Sequence, residues 1–254
     1  MDYVALGKSN LLVSCTAFGA MSLDAALDAS ESTALVKQAY DGGINFFDTA
    51  HSAAESERLL GAALKNWRDD VLIATKTAAR TADEIDDDLR KSLAALQTDY
   101  IDLYQLENMP YVPAFGANDG IVNKLLALQH NGVIRHFGFM TESLSLARAV
   151  LDSAVPWATL QYPFNMLCTA EVEQLVSDCA SKDIGFIAMR PLCGGVISNI
   201  PLALGYLRQF ENVVPVWGVR TAEEMQHILY FTDNPPVIDE QFSAETANIR
   251  AFFN

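Results

Sequence analysis

The stretch VLIATKTAARTADEIDDDLRKSLAALQTDYIDLYQLE, residues 71–107, sets two short apolar runs on either side of a helical pattern. In residues 81–97, Ile85, Leu89, Leu93 and Leu96 recur every three or four positions, which gathers them on one face of a helix. Thr81 stands three residues ahead of Glu84, the spacing of a capping box, and the acids of DEIDDD suit the positive end of a helix dipole. That acidic run reads as a solvated helix start rather than a metal site. Strand, helix and strand in this order predict two parallel strands joined by a right-handed crossover.

The same alternation extends in both directions. The strand candidates are CTAFGA, INFFDTA, VLIATK, IDLYQLE, RHFGFM, WATLQYP, GFIAMRP and VVPVWG, with amphipathic segments between them. Eight parallel strands with their crossovers close into a (β/α)₈ barrel, the TIM-barrel architecture, which takes about 250 residues. An opening hairpin (YVAL, a GKSN turn, LLVS) precedes the first of them. No Pro/Gly/Ser linker divides the chain, so residues 1–254 are expected to form one domain. Thr221 and Glu224 repeat the capping signature after the eighth strand. The double proline of DNPPVIDEQFSAETANIRAFFN breaks any helix before it, and one further short helix lying across a barrel face is expected there.

Bulk composition narrows the function. The chain carries 17 Lys and Arg against 32 Asp and Glu, a net charge of −15. A surface this acidic repels nucleic acid and anionic lipid, so neither is an expected partner. Four cysteines, Cys15, Cys168, Cys179 and Cys193, form no C-x-x-C pair, which speaks against structural zinc and suits a reducing compartment. The start MDYVALGKSN has no basic or apolar leader segment, and no apolar run approaches the ~20 residues that span a bilayer. A cytoplasmic setting is expected.

In a barrel of this type chemistry sits at the C-terminal tips of the strands. That rule selects Asp48 and His51 after the second barrel strand, Lys76 at the end of the third, Glu107 at the end of the fourth and Gln161 at the end of the sixth. Arg190 ends the seventh, and Gly218, Arg220 and Thr221 follow the eighth. Strand alternation puts Leu103, Gln105 and Glu107 on the barrel-facing side and turns Tyr104 outward. The loop NMPYVPAFGANDG, residues 108–120, is expected to wall a small-molecule pocket. His130, His136 and His227 lie away from this rim and have no metal-ligand spacing, so no metal site is expected.

These residues resemble the aldo-keto reductase superfamily. FDTAHSAAESERLLGAAL (47–64), IATK, TDYIDLYQL and GVIRHFGF resemble successive family signatures, while FIAMRPLCGG and TAEEM resemble the branch that often carries an iron–sulphur tail. The resemblance implies hydride transfer from NADPH to a carbonyl through an aspartate, a tyrosine, a lysine and a histidine. Position by position these fall on Asp48, Ala53, Lys76 and Glu107, so the phenolic proton donor is replaced by a methyl. Without that phenol the Lys76–Asp48 pair has nothing to tune, and general acid catalysis worth about 10²–10⁴ in rate is lost. Glu107 in an apolar mouth could stay protonated and donate a hydrogen bond, and His51 is a further donor on the same loop.

The resemblance also implies a cofactor site of Gly19, Met21, Thr141, Gln161, Arg190, Leu192, Gly218, Arg220 and Thr221. Gln161 is expected to hold the nicotinamide carboxamide, and PLCGG to lie along the pyrophosphate. The usual Ser-Asn pair after the fifth strand is replaced by Met140 and Thr141. Glu224 stands where many members place a base for the 2′-phosphate, with Arg220 as a substitute cation. NADP(H) is the expected cofactor, with NAD(H) or none as alternatives. No iron–sulphur cluster is expected, since no late cysteine precedes Asn254.

Three readings stay open. One is a nicotinamide-dependent reductase of a carbonyl or activated C=C whose proton comes from Glu107, His51 or water. The second is a non-redox acid–base or Schiff-base enzyme (lyase, dehydratase or isomerase) built on Lys76. The third is an inactive binding or regulatory barrel.

Overall fold

The computed structural model describes residues 1–23 and 28–253. Eight parallel strands form a closed barrel: β3 (Ala17–Gly19), β4 (Phe46–Asp48), β5 (Leu72–Thr77), β6 (Ile101–Glu107), β7 (Ile134–Met140), β8 (Thr159–Pro163), β9 (Gly185–Met189) and β10 (Val213–Trp217). Neighbours in sequence are neighbours in the sheet, and β10 closes on β3 through Val216 opposite Ala17 and Trp217 opposite Phe18. Six strands lie within the segments their apolar pattern marked, while β5 runs one residue past its segment to Thr77 and β7 begins one residue early at Ile134.

The expected hairpin, β1 (Tyr3–Ala5) paired antiparallel with β2 (Leu12–Ser14), precedes the barrel. Leu6, Leu11 and Val13 pack with the inward residues Ala17, Phe46, Ala74, Leu103, Ile187, Val214 and Val216, so the hairpin plugs the N-terminal end. Contact is close enough to require glycine: a Cβ on Gly7, whose φ is +54°, would lie 2.3 Å from the Gly185 nitrogen.

The helices are α1 (Ala29–Asp41), α2 (Ala54–Leu64), α3 (Ala82–Leu96), α4 (Ile121–His130), α5 (Leu144–Asp152), α6 (Ala170–Ser181), α7 (Ile200–Leu207), α8 (Ala222–Asp233) and α9 (Glu240–Phe253). Both predicted capping boxes form, Thr81 with Glu84 at α3 and Thr221 with Glu224 at α8. In α3, Ile85, Leu89 and Leu96 are buried, while Asp86 pairs with Lys124 at the surface. A larger apolar layer lies between strands and helices, with Trp157 packed edge-on against Phe137 and Phe139. Each fully buried side chain of this size contributes roughly 1.5–3 kcal/mol.

The final helix departs from expectation. It is 14 residues long rather than short, and it packs against α7 and reaches Glu173 at the start of α6 and the Cys168 carbonyl in the loop before it. Phe242 sets its position: a Cβ on Gly205 of α7 would come within 2.7 Å of that ring. No helix among the described residues is long and apolar enough to cross a membrane.

Candidate active site

Parallel closure puts the C-terminal tips of all eight strands at one end, and the most connected polar group there is a buried ion pair. Lys76 Nζ lies 2.7 Å from Asp48 Oδ2 and 2.6 Å from the Thr49 carbonyl oxygen. The two residues are 2% and 3% exposed. Taking two charges out of water costs several kcal/mol each, which their mutual attraction offsets only when further hydrogen bonds complete the pair. Gln161 Nε2 supplies one of these to Asp48 Oδ2 at 3.2 Å. Gln105 Nε2 donates in turn to Gln161 Oε1 at 2.7 Å, and Thr159 Oγ1 to Gln105 Oε1 at 3.4 Å. Asp48 Oδ1 has no hydrogen-bond partner among the described residues. An ammonium carries three donors, so Lys76 keeps one N–H to spare.

Ala53 stands at the N-cap of α2 without a side-chain cap, and its methyl offers no donor. The loop before it directs its hydroxyls to opposite sides. Thr49 Oγ1 meets Ser56 Oγ on α2 at 2.8 Å, behind the barrel wall. Ser52 Oγ donates to Glu107 Oε1 at 3.0 Å, so Glu107 at the tip of β6 is joined to a hydroxyl one residue before Ala53. Ser52 had no signal in the sequence, where a loop serine is commonplace. Gln105 had one, its inward parity two residues before Glu107.

His51 does not join this group. Its Nε2 lies 3.3 Å from Asp88 Oδ1, and its Nδ1 lies 3.2 Å from Ser92 Oγ and 3.8 Å from Glu57 Oε2. Those partners belong to α3 and α2, so the ring faces the helices and not the ion pair. The expectation of a donor at the mouth is corrected here: proximity along the loop says nothing of which wall a side chain faces. Glu57, a buried acid the sequence did not single out, accepts from Thr75 Oγ1 at 2.6 Å on this outer side. Burial pushes its carboxyl above the ordinary range, opposed by its hydrogen bonds and by His51. Tyr104 faces outward as its parity predicted, and burial raises its phenol far above the usual value.

The positions expected to hold a dinucleotide line the same end. A Cβ on Gly19 would lie 3.0 Å from Val216 Cγ1, whereas one on Gly218 would meet nothing nearer than Ser22 Cβ at 4.0 Å. Met21 is exposed beside them. Thr141 is buried, its hydroxyl oxygen accepting from the Ser143 N–H at 3.1 Å, so it shapes the entry to α5. Arg190 has a left-handed φ of 56° and its guanidinium reaches Glu142 Oε1 at 2.6 Å. Leu192 and Cys193 are partly buried against the outer core. A Cβ on Gly194 or Gly195, at φ +68° and +94°, would meet nothing within 4 Å. At α8 the Glu224 carboxylate accepts from the Arg220 N–H at 2.7 Å and the Thr221 N–H at 3.3 Å. The described residues hold no group of three or more His, Cys, Asp or Glu suited to a metal ion.

Residues 17–201 match the profile of the aldo/keto reductase family. The chain is 30% identical over 216 residues to L-galactose dehydrogenase of Arabidopsis thaliana, covering 77% of this chain and 66% of that protein. It is 28% identical to aldo-keto reductase YhdN of Bacillus subtilis, covering 78% and 64% of the two chains. The chain thus spans about two thirds of the length of these relatives. Among solved structures, an aldo-keto reductase from Bacillus halodurans in its holo form superposes with a TM-score of 0.85 at 21% identity, over 98% of this chain and 96% of that one. An aldo/keto reductase from Klebsiella pneumoniae in complex with NADP and acetate gives 0.83 at 19%, over 98% and 95%. With the profile running from the first barrel strand into α7, this chain belongs to the aldo/keto reductase family.

Proposed function

We propose that this protein is a nicotinamide-dependent reductase of a carbonyl or an activated carbon–carbon double bond, with its proton supply rearranged around Ser52 and Glu107. The observation that carries this reading is the bonded unit Lys76–Asp48–Gln161 at the barrel mouth. A buried ion pair is costly, and breaking one leaves an uncompensated charge, so its retention beside a cofactor-type glutamine argues for use.

A nicotinamide dinucleotide fits the residues present at its reactive end. Gln161 has one N–H and one oxygen lone pair left after its bonds to Asp48 and Gln105, the complement of a carboxamide. Gly194, Gly195 and Gly218 leave room for close backbone approach. Such a cofactor supplies the hydride. The other end is less accommodating: Glu224 already occupies the two amides at the start of α8, and its charge opposes a 2′-phosphate. The Klebsiella relative was solved with NADP, which supports a nicotinamide cofactor as a class.

The chain's own groups then have distinct tasks. Lys76 presents a fixed positive charge and a spare N–H to the oxygen on which negative charge develops. Asp48, gripped by Lys76 and Gln161, keeps that ammonium in place. Ser52, bonded to Glu107, is the hydroxyl nearest in sequence to the lost phenol; turning from Glu107, it hands its proton to the substrate oxygen and takes a replacement from water. Met21 in a 3₁₀ turn and Tyr111, Phe115 and Val196 on loops are exposed at this end, which favours an apolar substrate. A Schiff-base role has no such support, because the Lys76 amine is committed to two acceptors.

Titrating NADPH and NADH while following tryptophan fluorescence tests the reading. Saturable binding of at least one is expected, weakened in Gln161→Leu. Absence of binding for both at millimolar concentration overturns it.

A further inference from the structure

Gln105 has no assigned part in the site, yet it is fully buried and bonded at both ends of its amide. It projects from β6 into the barrel opposite Lys76 on β5 and opposite Gly138 on β7. Gly138 in turn faces Thr159 on β8. The glycine is what lets β6 and β8 meet across the strand between them: a Cβ there would lie 2.0 Å from Thr159 Oγ1 and 3.3 Å from Gln105 Oε1. Through this gap runs a chain of donors and acceptors, Thr159 to Gln105 to Gln161 to Asp48.

The sense of that chain follows from its one unambiguous member. A carboxylate accepts only, so Gln161 must turn its NH₂ toward Asp48 and its oxygen away. The oxygen then faces Gln105, which must present its own NH₂, and the Gln105 oxygen is left to the Thr159 hydroxyl. Reversing either amide would set two acceptors, or two donors, face to face in a dry interior, at a cost greater than the net gain from one good bond. With Gln105 in place, Gln161 is held in the orientation that grips Asp48. Without it, Gln161 can turn and leave Asp48 to Lys76 alone.

We infer that Gln105 is a positioning residue for the Asp48–Lys76 pair, acting through the Gln161 amide, with Thr159 and the gap at Gly138 fixing its own orientation. The inference rests on the proposed reductase reading for its purpose, but its geometry stands apart from cofactor binding.

The test is nitrogen-15 NMR of the full chain, reading the Lys76 ammonium and the Gln161 side-chain amide, assigned by their loss in Lys76→Met and Gln161→Met. Gln105→Leu is expected to shift both signals and to raise Lys76 N–H exchange about tenfold, the scale of one lost hydrogen bond. Thr159→Val removes only a hydroxyl, on a strand not paired with β5, and is expected to move both signals the same way by a smaller amount. The double variant should do no more than Gln105→Leu alone, because both act through one chain. Packing loss without positioning would make the effects additive. Additive shifts, or unchanged signals in both single variants, overturn the inference. Should neither NADPH nor NADH bind while the shifts appear as expected, the reductase reading fails and the positioning relationship stands.

Discussion

The hydroxyl of Ser52 donates to Glu107 Oε1 across 3.0 Å, joining the loop after β4 to the tip of β6 at the barrel mouth. The bond returns a hydroxyl to a loop whose neighbouring position, Ala53, has none. If protons reach the substrate through it, Ser52→Ala lowers kcat roughly 10–100-fold, part of the range for general acid catalysis, with cofactor affinity unchanged. Steady-state reduction of an aldehyde panel measures this, with Ser52→Thr as the variant that keeps the hydroxyl.

Ala53→Tyr supplies the missing phenol beside an intact Lys76–Asp48 pair. Turnover of simple aldehydes should rise about 10²-fold or more. The gain should vanish in Ala53→Tyr combined with Lys76→Met, since the phenol then lacks its cationic neighbour.

Lys76→Met leaves Asp48 buried, charged and held by Gln161 alone. Urea unfolding should register a loss of about 3–5 kcal/mol. Adding Asp48→Asn should recover much of it, because the uncompensated charge goes too, while activity stays absent in both variants.

Glu224→Gln keeps an acceptor for the Arg220 and Thr221 amides but removes the charge. NADPH affinity should improve roughly fivefold relative to NADH, about 1 kcal/mol between partly screened charges. Isothermal titration with both nucleotides reads the ratio, which should narrow as salt is raised.

Glu57 contributes to the pH dependence of stability. Burial raises its carboxyl above the ordinary value of 4.5. The folded state therefore holds that proton more tightly than the unfolded chain, so the contribution is fully present below 4.5 and is lost as pH rises through the folded value. The stability difference between wild type and Glu57→Gln, followed by urea unfolding across this window, should move in favour of the variant as pH increases. The His51 ring, 3.8 Å away, acts against the trend.

Much of the framework was legible in local pattern. Thr81 and Glu84 announced the start of α3, and Thr221 and Glu224 that of α8, because a capping box is closed by residues three apart. The outward turn of Tyr104 followed from a two-residue period in β6. Lys76, Asp48 and Gln161 could be grouped beforehand because parallel strands end together, and hydrogen bonds join them. His51 was misread because a loop has no period to say which wall a side chain faces, and the length of α9 because it depends on Phe242 finding Gly205 of α7.

What the amino-acid order determined by itself is the set of short-range features: eight apolar runs, the caps between them, and the alternation that divides inward from outward side chains. These need only neighbours within one turn or one pleat. What tertiary structure alone decided is the pairing of groups far apart in the chain: Ser52 with Glu107, His51 with Asp88, and Gln105 with Gln161 across the gap at Gly138. Such pairs arise when barrel closure sets strand spacing and register, and hydrogen bonds, which fail within a few tenths of an ångström, then select their partners.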